Sequence, residues 1–282
     1  MGGRRGHRRK PFSGRADYAI RTYDKQRQEI DKNRSRCSVW TIHGRENRKA
    51  RSRAHKGVGI NDPRGGAQRG RAPSSEVVSR DPLNVFVNVP FDDTYAPLFE
   101  ALVFAVTACG YRVRCALEED DSGNIRMDKL DRLIRQSPRS IHDLSRIEIG
   151  DNDLPRFNMP FELGLAIGAK RFGPRRNTDA IKVMVAEPYK LPAYLSDLGG
   201  NDPSAHHRNP DNVIKIVRDF LHKTPAGGLL PGPAKLTNAF AEFRRSLPEI
   251  SKKIDFRPEE VGGFTSYRIF LVCVAEYLKA KG

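Results

Sequence analysis

The chain has 282 residues with 50 Lys+Arg against 34 Asp+Glu, and its formal net charge is +16. Residues 1–80 carry 22 basic and 7 acidic side chains, so nearly all of the excess lies there and the rest is close to neutral. The four cysteines, at positions 37, 109, 115 and 273, form no CxxC pair and no Cys/His ligand spacing, and no apolar run approaches the ~20 residues of a membrane span; a zinc module, a disulfide framework and a membrane helix are argued against.

Residues 1–80 are rich in Arg, Gly and Ser and show no sustained helix or strand period, which predicts a disordered basic tail. Within it, residues 18–30 hold too few apolar side chains for more than a transient helix. Such a tail suits nucleic acid through phosphate attraction; the plain alternative is a solvated tail. No signal-peptide pattern is visible at the N-terminus, and the unpaired cysteines fit a reducing, cytoplasmic location.

From residue 83 the character changes. Residues 83–89 are β-branched and end at Pro90, which predicts a first strand, and Asp92, Asp93 and Thr94 offer caps for a helix running to about Cys109. Residues 111–117 alternate as a second strand, residues 125–136 carry Met127, Leu130, Leu133 and Ile134 at helical spacing, and residues 140–143 read as a short third strand. A helix from Asn158 to about Arg171 and a fourth strand over 180–186 follow. Strands alternating with helices predict βαβ units, hence an α/β fold with a parallel sheet covered on both faces. Beyond Pro188 the pattern is helical: 212–222, then a Pro/Gly linker over 225–233, then helices marked by Leu236, Phe240, Phe243 and Leu247 and by residues 261–278. The domain organisation read from this is 1–80 tail, 81–223 α/β nucleotide-binding domain and 224–282 helical extension. The last two helices either pack as an appendage or supply a homo-oligomer surface.

The most informative stretch is 155–169, because Glu162 is the only charged residue from Met159 to Ala169. A charge in such a setting must be paired, hydrogen-bonded or used. With Asn158 as the expected N-cap and Pro160 in the first turn, Glu162 is expected near the positive end of the helix dipole, which favours the ionised carboxylate and a nucleophile or cation stabiliser over a general acid. Gly164 and Gly168 are expected to let the helix approach a neighbouring backbone closely. In open parallel sheets the ligand lies beyond the carboxyl ends of the strands, where Asn88, Asp143 and Glu162 fall. Two carboxylates and an amide are the minimum for cleaving an N-glycosidic bond through an oxocarbenium-like transition state, with Glu162 and Asp143 catalytic, Asn88 a sugar or phosphate ligand, and Phe91, Asp92 and Asn158 completing the ligand-binding set. The reading calls for no metal and no cofactor. Each residue also has a structural alternative: Glu162 as a buried capping carboxylate, Asp143 as a turn cap, Asn88 as a backbone partner before Pro90. His142 reads as a core histidine whose side chain points away from that of Asp143, and Arg112 and Arg114 either face phosphate or line an exposed edge.

The segments 88–92 (Asn-Val-Pro-Phe-Asp), 114–118 (Arg-Cys-Ala-Leu-Glu), 141–146 (Ile-His-Asp-Leu-Ser-Arg) and 156–166 (Arg-Phe-Asn-Met-Pro-Phe-Glu-Leu-Gly-Leu-Ala) resemble an uncharacterised bacterial family. Their Asp-Leu-Ser…Asn…Glu-Leu-Gly order is in turn similar to the nucleoside 2-deoxyribosyltransferase-like and TIR-like superfamily. The resemblance covers roughly residues 85–170. It implies a flavodoxin-like fold and a glutamate on this helix, here Glu162, that breaks the N-glycosidic bond of a nucleoside, nucleotide or NAD, with Asp143 as its partner. TIR-like domains often act as assemblies, which implies a homo-oligomer. The chain has Arg-Phe-Asn-Met-Pro at 156–160 where the deoxyribosyltransferases have an Asp-Pro-Gly-Thr-like approach. The rival readings are a non-catalytic nucleotide sensor of the same fold and a scaffold acting through the basic tail.

Overall fold

Asn84–Asn88 forms β1, and all five of its residues are buried, as a strand covered on both faces requires. The computed structural model describes residues 80–118, 123, 125–146, 156–173, 178–188, 193–198, 202–224 and 229–281; the basic tail before Arg80 and its 18–30 segment lie outside them. After β1 come α1 (Ala96–Ala108), β2 (Arg112–Arg114), α2 (Arg126–Gln136), β3 (Arg139–Asp143), α3 (Asn158–Phe172), β4 (Ala180–Val185), β5 (Ser204–Ala205), α4 (Pro210–Lys223), α5 (Pro233–Lys253) and α6 (Tyr267–Lys281). The strands form one sheet in the order β2-β1-β3-β4-β5, every pairing parallel. This is a flavodoxin-like α/β arrangement, and its strand order reverses between β1 and β3.

Register decides which side chains meet. Asn88 lies opposite His142 and Phe86 opposite Ser140, so strand alternation puts these four on one face. There Phe86 packs with Leu130, Leu133 and Ile134 of α2 and Ala166 of α3, and Val183 and Val185 pack with Met159 and Leu163 of α3. Val85, Val87, Ile141 and Met184 point the other way, into the core shared with α1 and α4. The last two helices pack onto α1: the Phe104 ring stacks on Phe243 with centroids 5.4 Å apart and also meets Phe240 and Tyr277. Glu100 of α1, buried among them, pairs with Arg244 of α5 and accepts the Gly263 N–H at 2.8 Å.

Several boundaries differ from expectation for local reasons. The first helix starts at Ala96, because residues 92–95 close a turn in which Tyr95 N–H donates to the Asp92 carbonyl at 2.9 Å. The second strand stops at Arg114, since Ala116–Glu118 tightens into a single 3-10 turn whose Glu118 carboxylate accepts from Cys115 N–H at 2.9 Å. The last helix begins at Tyr267 and not near Val261, because Gly262 and Gly263 take positive φ values of 122° and 62°. Among the described residues no helix is long and apolar enough to cross a membrane.

Candidate functional site

The helix that carries Glu162 starts at Asn158 itself, and Phe157 holds the cap position without a side-chain cap bond. Asn158 is therefore the first helical residue, exposed, and not the N-cap. Glu162 is consequently the fifth residue, past the first turn in which the dipole acts. Its residue is 4% exposed, and its charged partner is Arg126 of α2, whose Nη2 lies 3.6 Å from Oε1 on a side chain that is 66% exposed. Burial dominates and pushes the Glu162 carboxyl above its ordinary value, Arg126 offsetting part of that rise. The expectation of a carboxylate favoured in its ionised form by the helix terminus is thus corrected.

Asn88, 1% exposed, joins the end of β1 to the first turn of this helix: its Nδ2 donates to the Met159 carbonyl at 2.9 Å and lies 3.1 Å from His142 Nδ1. An amide NH₂ only donates, so Nδ1 is the acceptor and the imidazole proton sits on Nε2. That Nε2 and the Asn88 Oδ1 are both buried without a partner among the described residues. His142 is fully buried, sits edge-on to Phe86 with centroids 5.8 Å apart, and is pushed down to about 3 by burial, so it is neutral at ordinary pH. It is a core histidine, as its sequence context indicated.

Asp143 points to the opposite face. It is fully buried, and Tyr95 Oη donates to Oδ2 at 2.5 Å, His206 Nε2 lies 3.0 Å from the same oxygen, and Ser145 N–H donates to Oδ1 at 2.8 Å. His206 Nδ1 accepts the Arg208 N–H at 3.0 Å, which leaves the ring proton on Nε2, toward Asp143. Burial pushes Asp143 up, but the interaction with His206 and the bonds from Ser145 and Tyr95 outweigh it and hold the carboxyl below its ordinary value. Burial and the Asp143 charge push the Tyr95 hydroxyl well above its ordinary value, so it stays a donor. Among the described residues no hydrogen bond or ion pair links Asp143 to Glu162 or Asn88. The three residues grouped by chain order are separated by alternation: Asn88 and Glu162 belong to the α2/α3 side, Asp143 to the α1/α4 side.

Asp92 acts as a clamp. Its Oδ1 accepts from Thr94 Oγ1 at 2.6 Å and from Tyr95 N–H at 3.2 Å, Arg146 Nη2 lies 3.2 Å from Oδ1, and Arg156 Nη1 lies 3.0 Å from Oδ2. Partial burial raises its carboxyl, yet Thr94, Arg146 and Arg156 together bring it below the ordinary value. Phe91 packs in the core against Phe264 and Phe99, with centroids 5.3 Å and 6.2 Å away. Arg112 and Arg114 are committed to Asp81 and Glu118.

The glycine stripe of α3 does not meet a neighbouring backbone. A Cβ built on Gly164 or Gly168 would find nothing within 4 Å, and both glycines line an open groove of about 790 Å³ with Met127, Ile134, Leu165 and Phe172. Cys109, Cys115 and Cys273 are free, buried and pushed up to about 12, which leaves them inert as nucleophiles. Among the described residues no group of His, Cys, Asp and Glu is arranged to hold a metal. Sequence reasoning missed Tyr95, His206, Arg126, Arg146 and Arg156; of these, Arg146 and Arg156 were accessible in principle, because they follow β3 and precede α3 beside the strand-order reversal. Neither any protein-family model nor any curated protein sequence matches the chain.

Proposed function

We propose that this α/β domain acts on a nucleotide-like ligand and cleaves or transfers at its N-glycosidic bond, with Glu162 as the group that meets ribosyl C1′. The observation that carries the reading is the environment of Glu162: a carboxylate 4% exposed, at the carboxyl edge beside the β1/β3 reversal, whose charged partner among the described residues is the exposed Arg126, 3.6 Å away. Burial raises the Glu162 carboxyl and Arg126 offsets only part of that rise, a perturbation of the kind that functional sites hold. In the proposed step the C1′–N bond breaks, its electron pair leaves with the base, and the Glu162 carboxylate stabilises or traps the cationic C1′ until water or another acceptor attacks. Asn88, locked against Met159, would orient a sugar hydroxyl through its unpartnered Oδ1. Asp143, enclosed by Tyr95 and His206, is a positioning residue for the strand ends and not a second catalytic carboxylate. The buried free thiols suit a reducing compartment, and we read the protein as cytoplasmic.

A sensor without turnover is the second reading, favoured by the Arg126–Glu162 ion pair, which occupies the carboxylate. The test is incubation of the chain and its Glu162→Gln form with NAD and matched nucleosides and nucleotides, with free base read by chromatography. Base released by the wild type alone supports cleavage. Binding without release from either protein favours the sensor, and neither binding nor release overturns both readings.

A further inference from the structure

We infer that the ligand of this site carries a phosphate on the ribose side and that Arg146 and Arg156 take it, an inference that rests on the function proposed for Glu162. Arg146 follows β3 and Arg156 precedes α3, and the two guanidinium groups converge on one carboxylate from separate points of the chain. Each spends one nitrogen on one Asp92 oxygen, at 3.2 Å and 3.0 Å, and the other N–H donors of both forks have no partner among the described residues. Their side chains are 39% and 44% exposed. Among the described residues the cluster sets two cations against one anion. Asp92, held by Thr94 and the Tyr95 N–H, fixes where both forks point, which is the pre-organised geometry that planar guanidinium groups need to grip phosphate oxygens.

The pair lies where an α/β sheet of this order binds ligands, outside the strand ends at the reversal between β1 and β3. A second observation points to the remainder of the ligand. Asn88 Oδ1 is a buried acceptor without a partner among the described residues, and its amide is fastened to the first turn of α3 through the Met159 carbonyl. An acceptor suits a sugar hydroxyl and rejects an anion, so the arginines and Asn88 ask for different ends of one molecule. A nucleoside monophosphate and a dinucleotide such as NAD share this ribose 5-phosphoryl chemistry.

The test uses the full chain and probes whose terminal ribose carries no base. Thermal shift and calorimetric titration with ribose, ribose 5-phosphate and ADP-ribose compare the wild type with Arg146→Gln, Arg156→Gln and Arg156→Lys, circular dichroism confirming that each variant is folded. Ribose 5-phosphate should bind the wild type at least about tenfold more tightly than ribose, and either glutamine variant should erase that preference, with Arg156→Lys intermediate. A gain from ribose 5-phosphate to ADP-ribose that is also lost in the glutamine variants assigns the source to a dinucleotide, and no gain assigns it to a monophosphate. Wild-type indifference to the phosphate, or folded glutamine variants that bind like the wild type, overturns the inference. Glu162→Gln should keep the phosphate preference; arginine-dependent binding without base release would therefore sink the glycosidase reading and leave the phosphate site standing.

Discussion

His142 gives the fold a calculable sensitivity to acid. The ring is fully buried, and its folded-state value of about 3 lies far below the ordinary 6.5. Above pH 6.5 it is neutral folded or unfolded and contributes nothing to the pH dependence. Below that, the unfolded chain takes up a proton that the folded chain refuses, so stability falls with pH. The gap between 6.5 and about 3 caps the loss at about 5 kcal/mol, and by pH 5 about 2 kcal/mol is already gone. Two neighbouring carboxyls must be kept apart from this effect. Asp143, held below its ordinary 3.8, contributes stability that is lost only as pH falls through its folded value, outside the window. Glu162, held above 4.5, acts with the opposite sign, its contribution being present at low pH and lost as pH rises through its folded value. A difference between the wild type and His142→Asn removes both, because the substitution leaves them in place and offers Asn88 an acceptor that does not titrate. Urea unfolding at about pH 7.5 and about pH 5 should show the wild type losing about 2 kcal/mol more than the variant, close to 1 M in midpoint for a slope of about 2 kcal/mol/M. Parallel losses in the two proteins would refute the reasoning, since they would place the titrating group elsewhere.

Two further substitutions test the structure independently. Gly164→Ala and Gly168→Ala, each adding a Cβ to open space inside α3, should stabilise the chain by about 0.5–1 kcal/mol apiece in thermal or urea unfolding, whereas destabilisation would show the groove to be filled by another surface. Tyr95→Phe removes a donor from the buried Asp143 carboxylate and should lower stability by about 1.5–3 kcal/mol; a variant as stable as the wild type would mean that His206 and Ser145 suffice for that charge.

How much of this was legible in the chain depended on the range of the interaction involved. The central strands were readable because buried parallel strands are continuous apolar runs, as in Val85–Phe86–Val87, and the Glu162 helix because a lone charge among apolar residues is a local signal. β5 was not, since two residues, Ser204 and Ala205, carry no period. The grouping of Asn88, Asp143 and Glu162 rested on chain order, but which face each side chain takes depends on the β1–β3 register, and register is a long-range property. Alternation alone was enough to separate His142 from Asp143; placing Asn88 with His142 needed the pairing of the two strands. The bare stripe of Gly164 and Gly168 was legible as a stripe, yet whether a neighbour fills it depends on where α2 sits. His206 carries no local signal, since its role arises only where β5 brings it beside the end of β3.

The two carboxylates at the sheet edge show how environment divides structure from function. Asp143 and Glu162 are both buried, but Asp143 is surrounded by a hydroxyl, an imidazole and an amide, and its carboxyl is held low, while Glu162 has, among the described residues, the exposed Arg126 as its charged partner and is held high. A buried anion held in this way is a fastening, since its contacts join parts of the chain: here the α1 start, the β3 end and the residue after β5. On the Glu162 side Asn88 Oδ1 and His142 Nε2 are buried without a partner among the described residues, as His206 Nε2 is on the Asp143 side. It follows that Asp143→Asn should damage the fold before it touches any chemistry, whereas Glu162→Gln should spare the fold and remove the chemistry, a contrast that no pair of equivalent catalytic carboxylates would produce.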